Sequence, residues 1–353
     1  MSESSSFSLT DHPHRRLNLL NGKWILCSPH RAKRPWQGQQ EKTSGSTRPE
    51  YDPNCYLCPG NKRVTGELND KYEHTFAFRN DFSALLSDTP AGSVSEGDGL
   101  LVAQSTRGRC HVMCFSPKHN LTMAQMSTEE ITGVVHEWMR QQKELSAEYE
   151  YTQLFENKGE VMGCSNPHPH GQVWASDTVP EEVSQEVASF RLHRADKHSC
   201  LLCDYLALEL SKQERIVLEN DSFVVLVPWW AYWPFETLVL PRTHTSSIAQ
   251  LDEKQQVDLA AILQKLTCKY DNVFECSFPY SMGIHSSPNS MLASGEYHMH
   301  MHFYPPLLRS ASVKKFLVGY EMVADICRDI TAEQAAERLR SLPTVHYTVS
   351  SSS

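Results

Sequence analysis

The chain has no apolar run long enough to cross a membrane as a helix. Its richest stretch, Val224 to Phe235, is broken by Pro228 and Pro234 and falls short of the ~20 apolar residues a span requires, so it reads as buried strand with packed aromatics. No apolar segment follows the opening MSESSSFSLT, which predicts that there is no signal peptide and that the location is cytoplasmic. Basic charge is in deficit: 33 Lys and Arg stand against 42 Asp and Glu, a net charge of −9. A protein that neutralises many phosphates needs the opposite balance, so nucleic acid is not an expected partner, and neither is a membrane. A small anion is compatible, because His14, Arg15, Arg16, His30, Arg31, Lys33 and Arg34 make the first stretch locally basic. Even pairing of cysteines is also missing. Eleven of them in a chain without a secretory signal argue for thiols and metal ligands rather than a disulfide framework.

What is present is 353 residues with 40% apolar and 21% charged side chains, an ordinary globular composition with room for about two domains. The two halves carry the same landmarks in the same order. Each has a C-x-x-C pair, Cys55 with Cys58 and then Cys200 with Cys203, followed by an apolar run that ends in Pro and a basic residue. A histidine comes next, His119 after Pro117-Lys118 and His244 after Pro241-Arg242, and at equal distance follow Ala124-Gln125-Met126-Ser127 and Ala249-Gln250-Leu251-Asp252. Ser127 with Glu130, and Asp252 with Gln255, have the spacing of capping boxes at helix starts. Ile131, Val134, Val135 and Trp138 form the apolar stripe of the first helix, and Leu259, Ile262, Leu263 and Leu266 that of the second.

Each half then reaches a histidine-rich strand: Asn166-Pro-His168-Pro-His170-Gly-Gln172 in the first, His298-Met-His300-Met-His302-Phe in the second. Residues two apart on a strand share one face, roughly 6.5–7 Å from each other. A third helix is capped by Thr331 with Gln334 and stopped by Pro343, while Met1 to about Asp11 and Val349 to Ser353 read as frayed ends. Strands grouped around single helices, without βαβ alternation, predict an α+β fold with mainly antiparallel sheet and flanking helices, built twice: residues 1–190 and 191–353.

Several side chains could carry chemistry. Cys55, Cys58, His119 and His168 suit a closed tetrahedral zinc site, since C-x-x-C presents two sulfurs to one ion; two buried thiols beside unrelated histidines is the alternative. His170, between Pro169 and Gly171, is stiffened on one side and open to close backbone approach on the other. A neutral imidazole there is a competent nucleophile toward phosphorus, and Gln172 on the same face could donate to a phosphate oxygen; a metal pair or core histidines would show the same His-x-His spacing. His285, His300 and His302 offer three imidazoles that need a carboxylate from elsewhere. Cys200 and Cys203 stand at the repeat position of the zinc pair, but with His300 and His302 engaged elsewhere the reading favours no metal on them, and His298 reads as a solvated or hydrogen-bonded strand histidine.

The HPHGQ segment, together with SPHRAKRPWQG, CYLCPG, FRNDF, SPKH and KFLVGYEM, resembles the galactose-1-phosphate uridylyltransferases of the histidine-triad superfamily, from about Leu17 to Leu342. The resemblance implies a ping-pong exchange in which His170 takes UMP from UDP-glucose and passes it to galactose 1-phosphate. It implies zinc on Cys55, Cys58, His119 and His168, and a second metal, iron or zinc, on Glu186, His285, His300 and His302. It places Arg31 and Arg34 near phosphate, Val64, Asn80 and Asp81 near uridine, and Asn157, Ser165 and Gln172 around the phosphates. Lys315, Phe316, Tyr320 and Glu321 would reach the hexose from a neighbouring subunit, so a homodimer is implied. One departure is Cys327, where the family usually has Gln, which replaces two amide donors and a carbonyl acceptor by a thiol. Two rival readings stand beside this one. The first is a related histidine-triad transferase or phosphorylase acting on dinucleoside polyphosphates or adenylyl sulfate. The second is a zinc-stabilised scaffold that docks a partner on the aromatic run Pro228 to Trp233.

Overall fold

The computed structural model describes residues 7–33 and 48–350. The chain opens with an antiparallel hairpin, β1 (His14–Leu17) and β2 (Trp24–Cys27). Then come β3 (Phe76–Arg79), an exposed hairpin of β4 (Ser93–Glu96) and β5 (Leu101–Gln104), and β6 (Gly108–Cys114). Helix α1 (Thr128–Leu145) follows, then β7 (Tyr151–Lys158) and β8 (His170–Ser176). Two helices, α2 (Glu181–Lys197) and α3 (Leu201–Lys212), lead into β9 (Ile216–Glu219), β10 (Phe223–Leu226) and β11 (Thr237–Pro241). The second long helix is α4 (Glu253–Phe274), followed by β12 (Tyr280–His285) and β13 (His300–Tyr304). A short α5 (Tyr320–Val323), β14 (Cys327–Arg328), α6 (Ala332–Ser341) and α7 (Tyr347–Ser350) complete the chain.

The repeat appears as symmetry within one sheet. Its order is β3-β6-β8-β7-β12-β13-β11-β10-β9, so β3-β6-β8-β7 of the first half is mirrored by β12-β13-β11-β10 of the second. Pairing of β7 with β12, Tyr280 opposite Lys158 through Ile284 opposite Leu154, joins the halves. All pairs in this sheet are antiparallel, as the α+β expectation required. The expected His-rich strands are shorter than read: β8 starts at His170 and β13 at His300, leaving His168 and His298 on the segments that lead in.

Both expected capping boxes form. The Ser127 hydroxyl accepts from the Glu130 N–H and the Asp252 carboxylate from that of Gln255, with the return bonds also present; each cap is worth ~1 kcal/mol. Their predicted apolar stripes are buried in one cluster on one face of the sheet, where α1 packs against α4. A second cluster, built on Val183, Phe190, Leu202 and Leu206 of α2 and α3, covers the other face. Strand β10 shows the alternation: Phe223 and Val225 enter the first cluster, Val224 and Leu226 the second. Truncating such a residue, Leu263 for instance, costs about 2–5 kcal/mol. The aromatic run is partly packed within the chain, with Trp229, Tyr232 and Trp233 half-buried. Trp230 is buried, and Trp229 lies under the guanidinium groups of Arg16 and Arg215 at 3.8 and 5.1 Å. Within the described residues of the ends, Ser8 and His12 bond each other and Val349 lies in α7.

Strands β1, β2 and β14 form a separate sheet in which β14 runs parallel to β2, tying the start of the chain to Cys327. The tie is reinforced electrostatically. Arg16, 1% exposed and so lost to the basic surface suggested by the sequence, makes a bidentate pair with Glu333 at 3.0 Å. Arg215 Nη1 reaches the same carboxylate at 2.7 Å. Burial raises the Glu333 carboxyl, but the bonds and charge of Arg16 and Arg215 outweigh it and hold it at about 2, against an ordinary 4.5. A depressed carboxylate contributes stability that is complete above its unfolded value and is lost as pH falls toward the folded one. Thermal melts of the wild type and Glu333→Gln should therefore differ most near neutral pH and draw together as pH falls from about 4.5 toward about 2. A difference that stays constant down to about pH 3 would show that the charge on Glu333 is not what stabilises the fold.

Candidate functional site

Four buried side chains meet at the end of the first half: Cys55, Cys58, His119 and His168, with their ligand atoms all within 4.8 Å of one another. The Cys58 sulfur lies 3.6 Å from His119 Nδ1 and 3.5 Å from His168 Nδ1. Around a tetrahedral zinc, bonds of ~2.3 Å to sulfur and ~2.05 Å to nitrogen put S and N about 3.5 Å apart. The tautomer of His168 also suits an ion. Its Nε2 faces the Ser116 carbonyl at 2.8 Å, which can only accept, and the Tyr72 hydroxyl oxygen at 3.0 Å, whose own proton goes to the Leu57 carbonyl. The proton is thus on Nε2, and the Nδ1 lone pair points at the thiols. Burial pushes the Cys58 thiol up to about 11 and the His168 imidazolium down to about 4, so a cation is what would bring charge into this cluster.

Two residues on, His170 opens β8 beside a cavity of about 380 Å³ lined by Arg48, Asn157, Lys158, Ser165 and His170 among others. Asn157, Ser165, His170 and Gln172 also line one smaller adjoining pocket, so the structure brings together four of the residues singled out from sequence. The His170 Nδ1 lies 2.8 Å from the His168 carbonyl oxygen, which leaves Nε2 as the nitrogen with a free lone pair. Burial lowers the His170 imidazolium, partly offset by that hydrogen bond, so the neutral form prevails near neutral pH. The two amides are oriented by partners that sequence reasoning missed. Trp174 Nε1, a donor only, gives its hydrogen to Gln172 Oε1 at 3.0 Å, and the Ser281 hydroxyl donates to Asn157 Oδ1 at 2.7 Å. With both oxygens engaged, the two NH₂ groups remain to meet an anion.

The second expected cluster also assembles. Glu186 of α2 lies 3.0 Å from His285 Nδ1, 3.4 Å from His300 Nε2 and 3.6 Å from His302 Nε2. The burial of Glu186 would by itself raise the carboxyl, but His285 and His300 outweigh it and keep it well below the usual range. Burial holds His302 neutral, its imidazolium lowered to about 3, and neither ring nitrogen of this buried residue has a hydrogen-bond partner. Such a ring is an available metal ligand. Tyr297, which no motif flagged, donates its hydroxyl to Glu186 Oε2 at 2.5 Å.

Other expected residues stand away from His170. Val64, Asn80 and Asp81 are absent from the residues lining either pocket, although Arg63, bonded to Asp81 at 3.4 Å, draws their two segments together at the β3 end of the sheet. Arg31 lies by Asp329, at 3.5 Å, and its carbonyl accepts from Arg309. It therefore belongs with Lys315, Glu321 and Cys327, where Glu321 receives the Lys315 ammonium at 3.4 Å and the Cys327 thiol at 3.0 Å. Phe316 and Tyr320 are largely exposed there. Arg34 lies outside the described residues. Cys200 and Cys203, not expected to bind metal, converge with His244 and His298 into a third group of potential ligands, and His298 is buried and hydrogen-bonded to both sulfurs, the second of the two alternatives read for it. Among the described residues, no helix is long and apolar enough to cross a membrane.

Comparison with known proteins gives one consistent result. The profile "Galactose-1-phosphate uridyl transferase, N-terminal domain" matches residues 5–180, and its C-terminal counterpart matches residues 182–351. The chain is 55% identical to a galactose-1-phosphate uridylyltransferase of Haemophilus influenzae, covering 97% of each, and 50% identical to that of Saccharomyces cerevisiae, covering 98% of each. A solved uridylyltransferase structure superposes with a TM-score of 0.73 at 25% identity, covering 94% of this chain and 98% of that one.

The backbone beside His170 leaves no space for a larger residue. A Cβ added at Gly171 would stand 2.8 Å from both the Phe115 ring and the Phe155 carbonyl oxygen, and the backbone atom cannot yield. Gly171→Ala is therefore expected to displace His170 and reduce turnover on the order of 10²-fold, with circular dichroism close to wild type. Activity within threefold of wild type would show that the strand position is not set by this contact.

Proposed function

This chain belongs to the galactose-1-phosphate uridylyltransferase family, and from that premise we propose that it moves UMP from UDP-glucose to galactose 1-phosphate through a covalent intermediate on His170. The observation that carries the reading is the state of His170: an imidazole with Nδ1–H committed to a carbonyl and the lone pair left on Nε2, in a residue that lines a pocket with Asn157, Ser165 and Gln172. Nε2 attacks the α-phosphorus, a P–N bond forms, and the bond to glucose 1-phosphate breaks with its electron pair leaving on the sugar phosphate. The ring then carries positive charge, which the Nδ1–H···O=C bond stabilises. An oxygen of galactose 1-phosphate attacks next, the P–N bond breaks, UDP-galactose leaves and the neutral imidazole returns. Each displacement replaces one activated phosphorus bond by another, so neither half requires an external energy source. The amide groups of Asn157 and Gln172 donate to the non-bridging oxygens as charge redistributes.

Zinc on Cys55, Cys58, His119 and His168 fits the sulfur–nitrogen spacing and the His168 tautomer. It would fix the segment from which His170 springs. A second metal, iron or zinc, fits Glu186, His285, His300 and His302, whose donor set is one carboxylate and three neutral-capable imidazoles. Bound there, an ion would brace α2 against β12 and β13, and no step of the exchange needs it. We divide the chain functionally near residue 190, with the nucleophile in the first part and most of the second centre in the other. Eleven cysteines, none of them in a disulfide, agree with a cytoplasmic setting.

In the homodimer we propose, the exposed Phe316 and Tyr320, together with Arg31, Lys315, Glu321 and Cys327, complete the hexose and phosphate contacts of the partner subunit's site. Exposure of both aromatic rings on the single chain supports this. Cys327 offers one thiol proton, already given to Glu321, so Cys327→Gln is expected to lower the KM for galactose 1-phosphate about fivefold, the worth of one neutral hydrogen bond. A KM unchanged within twofold would remove Cys327 from the hexose site. The mechanism itself is tested by intact mass after brief exposure to UDP-glucose. The wild type should gain a uridylyl group that galactose 1-phosphate discharges, and His170→Ala should gain none and lose on the order of 10⁴-fold or more in turnover. An adduct on the variant, or turnover without any adduct on the wild type, would overturn the covalent route.

A further inference from the structure

A third group of metal-ligating side chains lies outside the machinery described above. We infer that Cys200, Cys203, His244 and His298 bind a zinc ion of their own, a structural clip in the second half that matches the Cys55 cluster of the first. Their four ligand atoms lie within 4.8 Å of one another. The Cys203 sulfur is 3.5 Å from His244 Nδ1 and 3.4 Å from His298 Nδ1, and the Cys200 sulfur is 3.6 Å from His298 Nδ1. These match the spacing of the first cluster, 3.5 and 3.6 Å, and the ~3.5 Å separation around tetrahedral zinc. His298 is fully buried, and its Nε2 has no hydrogen-bond partner. The two sulfurs are thus the groups its ring addresses, through the nitrogen that would carry the lone pair.

The donors come from three places far apart in sequence. Cys200 caps α3 and Cys203 lies in its first turn, His244 follows β11, and His298 leads into β13. A closed ion of this kind ties a helix start to two neighbouring strands, the usual work of a Cys₂His₂ site. It would also bear on the Glu186 centre. The His298 carbonyl oxygen lies 2.9 Å from His300 Nδ1, so fixing His298 fixes the ring of His300. A redox pair of Cys200 and Cys203 is the chemical alternative, and it makes no use of His298.

The test is metal content together with thiol protection on the full-length protein. Cys200→Ser/Cys203→Ser should carry one metal equivalent fewer per chain than the wild type, and Cys55→Ser/Cys58→Ser should lose a different one. Because the first variant could fail to fold, the second measurement uses native wild type. N-Ethylmaleimide should leave Cys200 and Cys203 unmodified until a chelator removes metal, and added zinc alone should restore the protection. Equal metal in wild type and variant, immediate alkylation of Cys203 in untreated protein, or a Cys200–Cys203 peptide two hydrogens lighter from a disulfide would each overturn the proposal. None of these outcomes depends on uridylyl transfer, so the two readings fail separately.

Discussion

The hydrogen bond from the Nδ1 of a histidine to the carbonyl oxygen two residues before it is the constraint on which both centres of this molecule depend. At His170 it spans 2.8 Å to His168, and at His300 it spans 2.9 Å to His298. A carbonyl can only accept, so each bond places a proton on Nδ1; at His170 this leaves the lone pair on Nε2, whereas at His300 Nε2 lies 3.4 Å from the Glu186 carboxylate. The bond is only as rigid as the carbonyl. In the first half that carbonyl belongs to a residue whose ring is held on three sides, by Cys58, Ser116 and Tyr72. The apparently separate features of the site, a ligand cluster and a lone imidazole, are therefore one device: the cluster positions the backbone, and the backbone positions the ring.

The sheet decides what surrounds that ring. Because β7 pairs with β12, the floor of the His170 pocket is completed across the joint between the halves. Asn157 belongs to β7, yet the hydroxyl that orients it, Ser281, comes from β12. The proposed phosphate site thus cannot be assembled by the first half alone, even though every residue expected to contact phosphate near His170 lies there. This gives a physical reason for the two units to share one continuous sheet rather than meet as separate bodies: amide direction is set by a bond across the central strand pair.

Much of this was legible in the sequence, and the reason differs element by element. Capping boxes at Ser127, Asp252 and Thr331 are local interactions, so their spacing alone specifies helix starts, and all three form. The Cys55 group was reachable through motif spacing, whereas Glu186 joined the three imidazoles only through the family resemblance. Ser281 was not reachable, because its bond to Asn157 depends on strand register, which no local pattern states; Tyr297 and Tyr72 were not, because their partners are far away in sequence. His298 answers to its hydrogen-bonded alternative, with the Cys200 and Cys203 sulfurs as partners that no local pattern names. Residues two apart stand ~6.5–7 Å apart along a strand, whereas the ligand atoms of each cluster here lie within 4.8 Å. Three alternating histidines can serve two groups, and here His298 joins the cysteines while His300 and His302 meet Glu186.

The same geometry also accounts for how two copies of one unit come to do different things. His170 and His300 make the same bond from Nδ1 to the carbonyl oxygen two residues before. What differs is what surrounds the ring. For His170 it is a cavity of about 380 Å³; for His300 it is the Glu186 carboxylate, brought in on α2, with Tyr297 and His285 bonded to the same group. A carboxylate at 3.4 Å occupies the position where an anionic phosphate would have to approach, and like charges exclude each other from a buried site. The ring of His300 is therefore closed to an anion, while that of His170 stays open to one. The two units diverge at a single acidic side chain on α2, the helix that links the halves.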